Sequence, residues 1–294
     1  MLQSKDTIQK FIFDNTDIRG EIVTLEQSYQ TVVGHKPVPP AVHRLLGEFL
    51  AAVSLLSSTL KFDGIITLQA RGEGPLPLIM AECDHHQGLR GIANPDPDAD
   101  FSKLEHASLR ELLGKGVLAI TIDPEKGQRY QGIVPLDADD LASCLEHYFT
   151  QSEQLDTRFW IAVDDHRAGA LMVQALPRQE SAQADHEETW QTVTALADTV
   201  KADELLSLDQ ETVLFRLFHE QQVRLLTTAP VTFRCSCSRP RSAKTLASLG
   251  REDIEALVAE QGKVSVDCQF CGQHYTFKQQ DLNEIFEGNS PLLH

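Results

Sequence analysis

Residues 41–60 read AVHRLLGEFLAAVSLLSSTL, and residues 64–83 follow as GIITLQARGEGPLPLIMAEC. The first stretch has helical length and few charges, the mark of a largely buried helix. The second changes period. Gly64 to Ala70 alternates in the manner of a strand, Gly72-Glu-Gly-Pro-Leu-Pro is turn chemistry, and Leu76 to Cys83 returns as a second strand, so the pair reads as a hairpin. Further along, Gly116 to Asp123 and Tyr130 to Val134 form another hairpin through Pro124 to Gly127. A helix over 141–152 and strands over Arg158 to Val163 and Gly169 to Leu176 complete this region. Strands outnumber helices without a regular β-α-β alternation, which predicts an α+β fold, a mixed β-sheet domain with a buried helix, over a doubly wound sheet.

Beyond it, Gln179 to Asp185 is polar and reads as a boundary. Residues 186–225 read as helical: Trp190, Val193, Ala197 and Val200 recur at three- and four-residue steps, and Val213, Leu214, Leu217 and Phe218 follow a Ser207–Gln210 capping-box spacing. Two short amphipathic helices result, with too few apolar positions to stand alone, so they must pack on a neighbour. The expected organisation is an α+β core over 1–178, a helical linker over 179–231 and a small cysteine-bearing domain over 232–294.

The chain has 294 residues, enough for two domains, and a formal net charge of −17. A strongly acidic molecule is a poor partner for a phosphate backbone, which argues against a dedicated nucleic-acid binder. The longest uncharged run, Phe49 to Leu60, is too short to span a bilayer. Lys5, Asp6, Lys10 and Asp14 interrupt the first residues where a secretory signal would need an apolar segment. A cytoplasmic protein is therefore expected, with no membrane partner. The charge is uneven: residues 179–231 carry 3 basic and 10 acidic side chains, whereas residues 232–294 carry 7 and 8.

Four of the six cysteines crowd into the tail as Cys235-Ser-Cys237 and Cys268-Gln-Phe-Cys271-Gly. In a chain without an export signal such a cluster points to metal or redox chemistry, since cytosolic thiols are kept reduced. Four thiolates can enclose Zn²⁺ tetrahedrally, and Gly272 permits the tight turn a metal knuckle needs. Between the pairs lie a helical stretch from Arg251 to Glu260, a stop at Gly262 and a strand from Lys263 to Asp267; Tyr275 and Phe277 alternate on the next strand. A unit this small has a meagre core, so a metal worth about 10–16 kcal/mol can decide whether it folds. Two readings stay open. The metal is purely structural, or it is a labile switch, because a CxC pair can join only in a strained, oxidising disulfide and metal-bound thiolates are already in the form that peroxide attacks.

The tail from Arg234-Cys-Ser-Cys through Ala243-Lys-Thr-Leu, Ala259-Glu-Gln-Gly and Cys268-Gln-Phe-Cys-Gly-Gln-His-Tyr-Thr-Phe resembles the redox-regulated 33-kilodalton heat-shock chaperonin family. The likeness extends over essentially the whole chain, through Leu60-Lys-Phe-Asp-Gly, Gln69-Ala-Arg-Gly-Glu-Gly-Pro-Leu, Leu89-Arg-Gly, Leu113-Gly-Lys-Gly-Val-Leu, Tyr130-Gln-Gly-Ile-Val, Tyr148-Phe-Thr-Gln-Ser-Glu-Gln-Leu and Arg216-Leu-Phe-His-Glu. The resemblance implies an ATP-independent bacterial holdase of the cytosol, not an enzyme, inactive while reduced and bound to Zn²⁺ through Cys235, Cys237, Cys268 and Cys271. It implies activation by oxidative and heat stress through Cys235–Cys237 and Cys268–Cys271 disulfides, with zinc release and linker unfolding. The implied partners are unfolding client proteins, a second copy in the active dimer, and ATP-dependent foldases downstream. Once freed, Trp190, Leu214, Leu217 and Phe218 would cover or join the client surface.

Two rivals are weighed against this reading: a zinc-ribbon protein whose structural metal serves assembly or nucleic-acid binding, and an enzyme built on the amino-terminal domain. The near-neutral tail counts against the first, and the absence of a convergent catalytic constellation against the second. Other signals have plain readings. Gly72-Glu-Gly-Pro lacks the residues of a phosphate loop. Asp164-Asp165-His166 reads as a solvated turn, His85-His86 beside Cys83 as a loop after a strand, and Cys83 and Cys144 as inert buried thiols.

Overall fold

The computed structural model describes residues 6–59, 63–177 and 186–286. The polar boundary over 179–185 and the first residues of the Leu60-Lys-Phe-Asp-Gly segment lie outside them. The chain divides into two compact units, Met1–Arg234 and Cys235–His294.

The first unit is built on two sheets. One has five antiparallel strands in the order β10-β1-β2-β9-β8: β1 (Thr7–Phe13), β2 (Ile18–Leu25), β8 (Thr157–Val163), β9 (Ala168–Ala175) and β10 (Val223–Pro230). The other has six in the order β11-β5-β4-β3-β6-β7: β3 (Gly64–Gly72), β4 (Leu78–Asp84), β5 (Gly88–Asn94), β6 (Gly116–Pro124), β7 (Tyr130–Pro135) and the short β11 (Thr232–Phe233), which joins β5 in parallel. Both hairpins expected from the patterning are present, β3 with β4 and β6 with β7. The fold is α+β, as the lack of alternation implied.

Helices α1 (Gln27–Gly34), α2 (Pro40–Ser58), α3 (Leu109–Leu113) and α4 (Leu141–Tyr148) belong to this unit, and α4 runs on into a π-helical turn over Phe149–Glu153. Helix α2 is the expected buried helix. It packs against strands of both sheets, and Leu45, Phe49, Leu50, Val53, Leu55 and Leu56 join one core with residues from each. By length and composition α2 is apolar enough to cross a membrane, but 83% of its apolar window is buried inside the protein. Apolar residues around the whole circumference suit a helix covered on opposite sides by protein.

The five-stranded sheet is covered on its other face too. Helices α5 (His186–Ala197), α6 (Ala202–Ser207) and α7 (Gln210–Phe218) lie there, closing a second core over Phe11, Phe13, Ile18, Ile22, Leu171 and Val173. Strand β9 is consequently buried at every position. The neighbour demanded by these amphipathic helices is this sheet. Residues 186–225 form three helices rather than two, and the chain turns to strand at Val223 by pairing with β1. The capping box at Ser207–Gln210 does not form. Ser207 ends α6, its hydroxyl donating to the Asp203 carbonyl, and Asp209 caps α7 by accepting from the Thr212 amide at 2.9 Å. A carboxylate two residues closer to the helix is the stronger competitor for those amides.

The second unit contains α8 (Arg239–Ser248), α9 (Arg251–Gln261), β12 (Val264–Asp267), β13 (His274–Phe277) and α10 (Gln279–Phe286). Gly262 ends α9 in the left-handed conformation, as its position suggested. Strands β12 and β13 form an antiparallel ribbon, and Leu246, Ile254, Val258, Phe277, Leu282 and Ile285 supply most of a small core.

Candidate metal centre

Cys235 and Cys237 precede α8, whose first turn is capped by the Ser238 hydroxyl accepting from the Arg241 amide at 3.3 Å. Arg241 also reaches back. Its guanidinium donates to the Ser236 carbonyl at 3.1 Å and to the Ser236 Oγ at 2.6 Å, which fixes the residue between the two cysteines. Cys268 and Cys271 occupy the turn between β12 and β13. The Gly272 amide donates to the Cys268 carbonyl at 2.8 Å and the Cys268 amide to the Gln273 carbonyl at 2.9 Å. Gly272 has φ 68°, where a side chain would cost about 1–2 kcal/mol.

These two loops bring all four Sγ atoms within 4.8 Å of one another, with Cys235 to Cys268 at 3.6 Å and Cys237 to Cys271 at 3.4 Å. Sulfurs held at about 2.3 Å around one tetrahedral ion stand about 3.8 Å apart, so the set fits a single metal ion. Among the described residues, no other group of three or more His, Cys, Asp or Glu side chains is arranged to share an ion. The four cysteines are half-buried and none is in a disulfide. Burial pushes the Cys271 thiol up to about 12 against the opposing hydrogen bond from the Gln273 amide, and the crowding thiols of Cys237, Cys235 and Cys268 raise it further. Four thiolates at this separation repel one another; a cation at their centre reverses that balance and makes deprotonation favourable.

Two side chains that the spacing of the cysteines did not reveal complete the surroundings. Tyr275, on β13 opposite Val266, donates its phenolic O–H to Cys237 Sγ at 3.2 Å. Arg239 donates to the Thr276 carbonyl at 2.6 Å and to Asp281 at 2.7 Å, with its guanidinium 4.4 Å from the Phe277 ring centre. Each links a residue near the first cysteine pair to the strand after the second, a contact between segments far apart in sequence.

The remaining polar clusters form no centre. Asp164 accepts from the His166 and Arg167 amides at 2.7 Å each, closing a turn. His85 Nδ1 accepts from the Gly64 amide at 3.1 Å, while the Cys83 thiol lies 3.5 Å from Gln87 Oε1. Cys83 and Cys144 are buried, and desolvation raises both thiols, which keeps them protonated and unreactive.

A second apolar surface lies in the first unit. Phe218 sets its ring 5.0 Å from that of Phe13 and 6.1 Å from that of Phe11, and Leu214 and Leu217 are buried on the same sheet face with Trp190 partly covered beside them. Among the described residues, the polar fastenings include a contact from Gln210 to Thr24 and one from Arg158 to Asp198. Gln210 Nε2 donates to the Thr7 carbonyl at 2.8 Å, Trp160 Nε1 to Asp198 at 3.0 Å, and Arg167 to the Leu206 carbonyl at 3.3 Å.

The model of the Hsp33 protein family matches residues 6–278. A 33 kDa chaperonin of Ectopseudomonas mendocina is 52% identical over 285 residues, covering 96% of each chain. One from Pseudomonas paraeruginosa is 50% identical over 289 residues, 98% of this chain and 96% of that one. Among solved structures, a 33 kDa chaperonin from Thermotoga maritima superposes with a TM-score of 0.84 at 22% identity, covering 97% of this chain and 99% of its own, a likeness of fold.

Proposed function

The chain belongs to the Hsp33 family, and from that premise we propose that it is a redox-regulated, ATP-independent holdase whose four clustered cysteines are the sensor. The observation that carries this reading is the convergence of a CxC and a CxxC pair within 4.8 Å. An all-sulfur, tetrahedral donor set favours Zn²⁺, which when bound holds the thiols deprotonated and ties the two loops together. Cys235, Cys237, Cys268 and Cys271 would be its ligands.

Peroxide is the natural trigger. A thiolate attacks one peroxide oxygen, the O–O bond breaks, and the departing hydroxide takes a proton to become water, leaving a sulfenic acid. The neighbouring thiolate then attacks that sulfur and displaces a second hydroxide, so one disulfide forms for each peroxide consumed. Two such rounds yield Cys235–Cys237 and Cys268–Cys271. Disulfide sulfurs no longer hold a cation, and the small second unit loses the main support of its fold.

The consequence for the first unit rests on α5–α7. Their burial is apolar, so mild heat combined with loss of the carboxy-terminal unit would free them. Phe11, Phe13, Ile18, Ile22, Leu171 and Val173 would then face unfolding clients in the cytoplasm. The active form would pair with a second copy and later pass its clients to ATP-dependent foldases.

The test uses reduced, metal-loaded protein. Peroxide at mildly raised temperature should release about one zinc ion per chain, measured with a colorimetric chelator, and should then suppress light scattering by a denaturing client. Zinc release without suppression would leave a redox-labile metalloprotein and remove the chaperone reading. Hydrogen exchange gives a second measure, since protection of α5–α7 should fall on oxidation; equal protection in both states would refute the linker's part.

A further inference from the structure

The ribbon of β12 and β13 does more than close the second pair of cysteines. It aims one side chain across the cluster at the first pair. Tyr275 pairs with Val266 on β12, and the next residues on its strand are anchored: the Thr276 carbonyl accepts from Arg239, and Phe277 is fully buried. With the strand paired at Tyr275 and held just beyond it, the phenolic O–H rests 3.2 Å from Cys237 Sγ. Cys271, by contrast, is served by the backbone amide of Gln273, a donor fixed by the turn itself.

We propose that Tyr275 is a positioning residue that restrains oxidation of Cys237 by donating a hydrogen bond to its sulfur. The inference rests on the redox reading above and adds a determinant of its sensitivity. In the step concerned, a lone pair of the Cys237 thiolate forms an S–O bond to peroxide as the O–O bond breaks; sulfur gives up two electrons, and the hydroxide that leaves is protonated to water. A hydrogen bond to a thiolate stabilises its charge, lowers the energy of that lone pair and weakens as negative charge leaves the sulfur. Its contribution is therefore larger in the resting state than in the transition state, and it slows the reaction. Hydrogen bonds to charged groups are strong enough for an effect of about three- to tenfold on the rate.

Tyr275→Phe keeps the ring and removes only the donor. The full-length chain, reduced and metal-loaded, is treated with excess peroxide, and zinc release is followed in wild type, Y275F and Thr276→Val, the last disturbing the same strand without touching sulfur. Y275F should release zinc about three to ten times faster, with T276V matching wild type. Cobalt-substituted protein supplies a signature that mere loosening would not produce. Losing the hydrogen bond makes the thiolate a better electron donor, so the sulfur-to-cobalt charge-transfer band should move to lower energy in Y275F alone. Equal release rates and coincident bands in wild type and Y275F would overturn the proposal, as would equal acceleration by T276V. If wild type retains its zinc under peroxide, the redox reading fails instead, and the cobalt spectra still decide whether Tyr275 acts on the sulfur.

Discussion

Single residues in this protein show how far burial can move a charge from its ordinary behaviour. Glu48, on α2, has its carboxyl pushed up to about 7 by desolvation, with Arg44 opposing the shift and Asp140 adding to it. A carboxyl raised in the folded state stabilises the fold fully only below its unfolded value, and that stability is lost as pH rises through the folded value. Between roughly pH 4.5 and 7 the wild type should therefore lose stability relative to Glu48→Gln. Thermal melts of the two proteins across that range check it: the curves should diverge with rising pH and run parallel above about 7, with the glutamine variant higher. A constant gap would show that Glu48 does not titrate there. Glu48 was not legible in the sequence as a perturbed group, since within AVHRLLGEFLAAVSLL it passes for the polar position a helix tolerates. The cysteines were legible because thiols at CxC and CxxC spacing carry their chemistry locally. Tyr275 was visible only as an alternating strand residue; its partner Cys237 lies 38 positions away, and nothing local announces that contact.

At the scale of elements, the readable ones were those whose pattern is their own. The all-round apolar surface of α2, the alternation of β3 and β6 and the glycine stop of α9 all follow from local sequence. Strand β10 could not be read this way. Its residues are mostly exposed, and it exists because β1 offers an edge. Strand β1 itself carries an irregularity between Gln9 and Phe11 that breaks its alternation. The docking of α6 depends on a single absent side chain. A Cβ at Gly169 on β9 would stand 2.8 Å from the Leu205 carbonyl oxygen, closer than packing allows. Gly169→Ala should lift α6 from the sheet while leaving the opposite face intact. Hydrogen exchange should then quicken about threefold or more in α6 and α7 and stay unchanged in α2. On the proposed function, client protection should set in at lower peroxide or lower temperature. Unaltered exchange in α6 would mean the helix is held by something other than this close approach.

At the scale of the molecule, the two units differ in what sustains them. The first has a core shared by two sheets and α2, whereas the second has a handful of apolar residues and the sulfur cluster. On the proposed function, removing the metal with a strong chelator under reducing conditions should erase amide protection in 235–286 and leave α2 and β9 protected. Calorimetry before and after should show the loss of one small transition; persistence of that transition without metal would mean the second unit folds on its apolar core alone. On the proposed function, the acidic excess over 179–231 would keep an opened linker dissolved, because like charges hinder its collapse and association. The burial of β9 on both faces has a further consequence. An antiparallel sheet tolerates water on one side, provided the other remains packed. With α5–α7 gone, the five strands would still rest on α2, so the chain contains a thinner edition of itself, whole without its outer cover. Whatever replaced those helices would meet a surface already shaped by them, and a return to rest would require only that the guest leave before they come back.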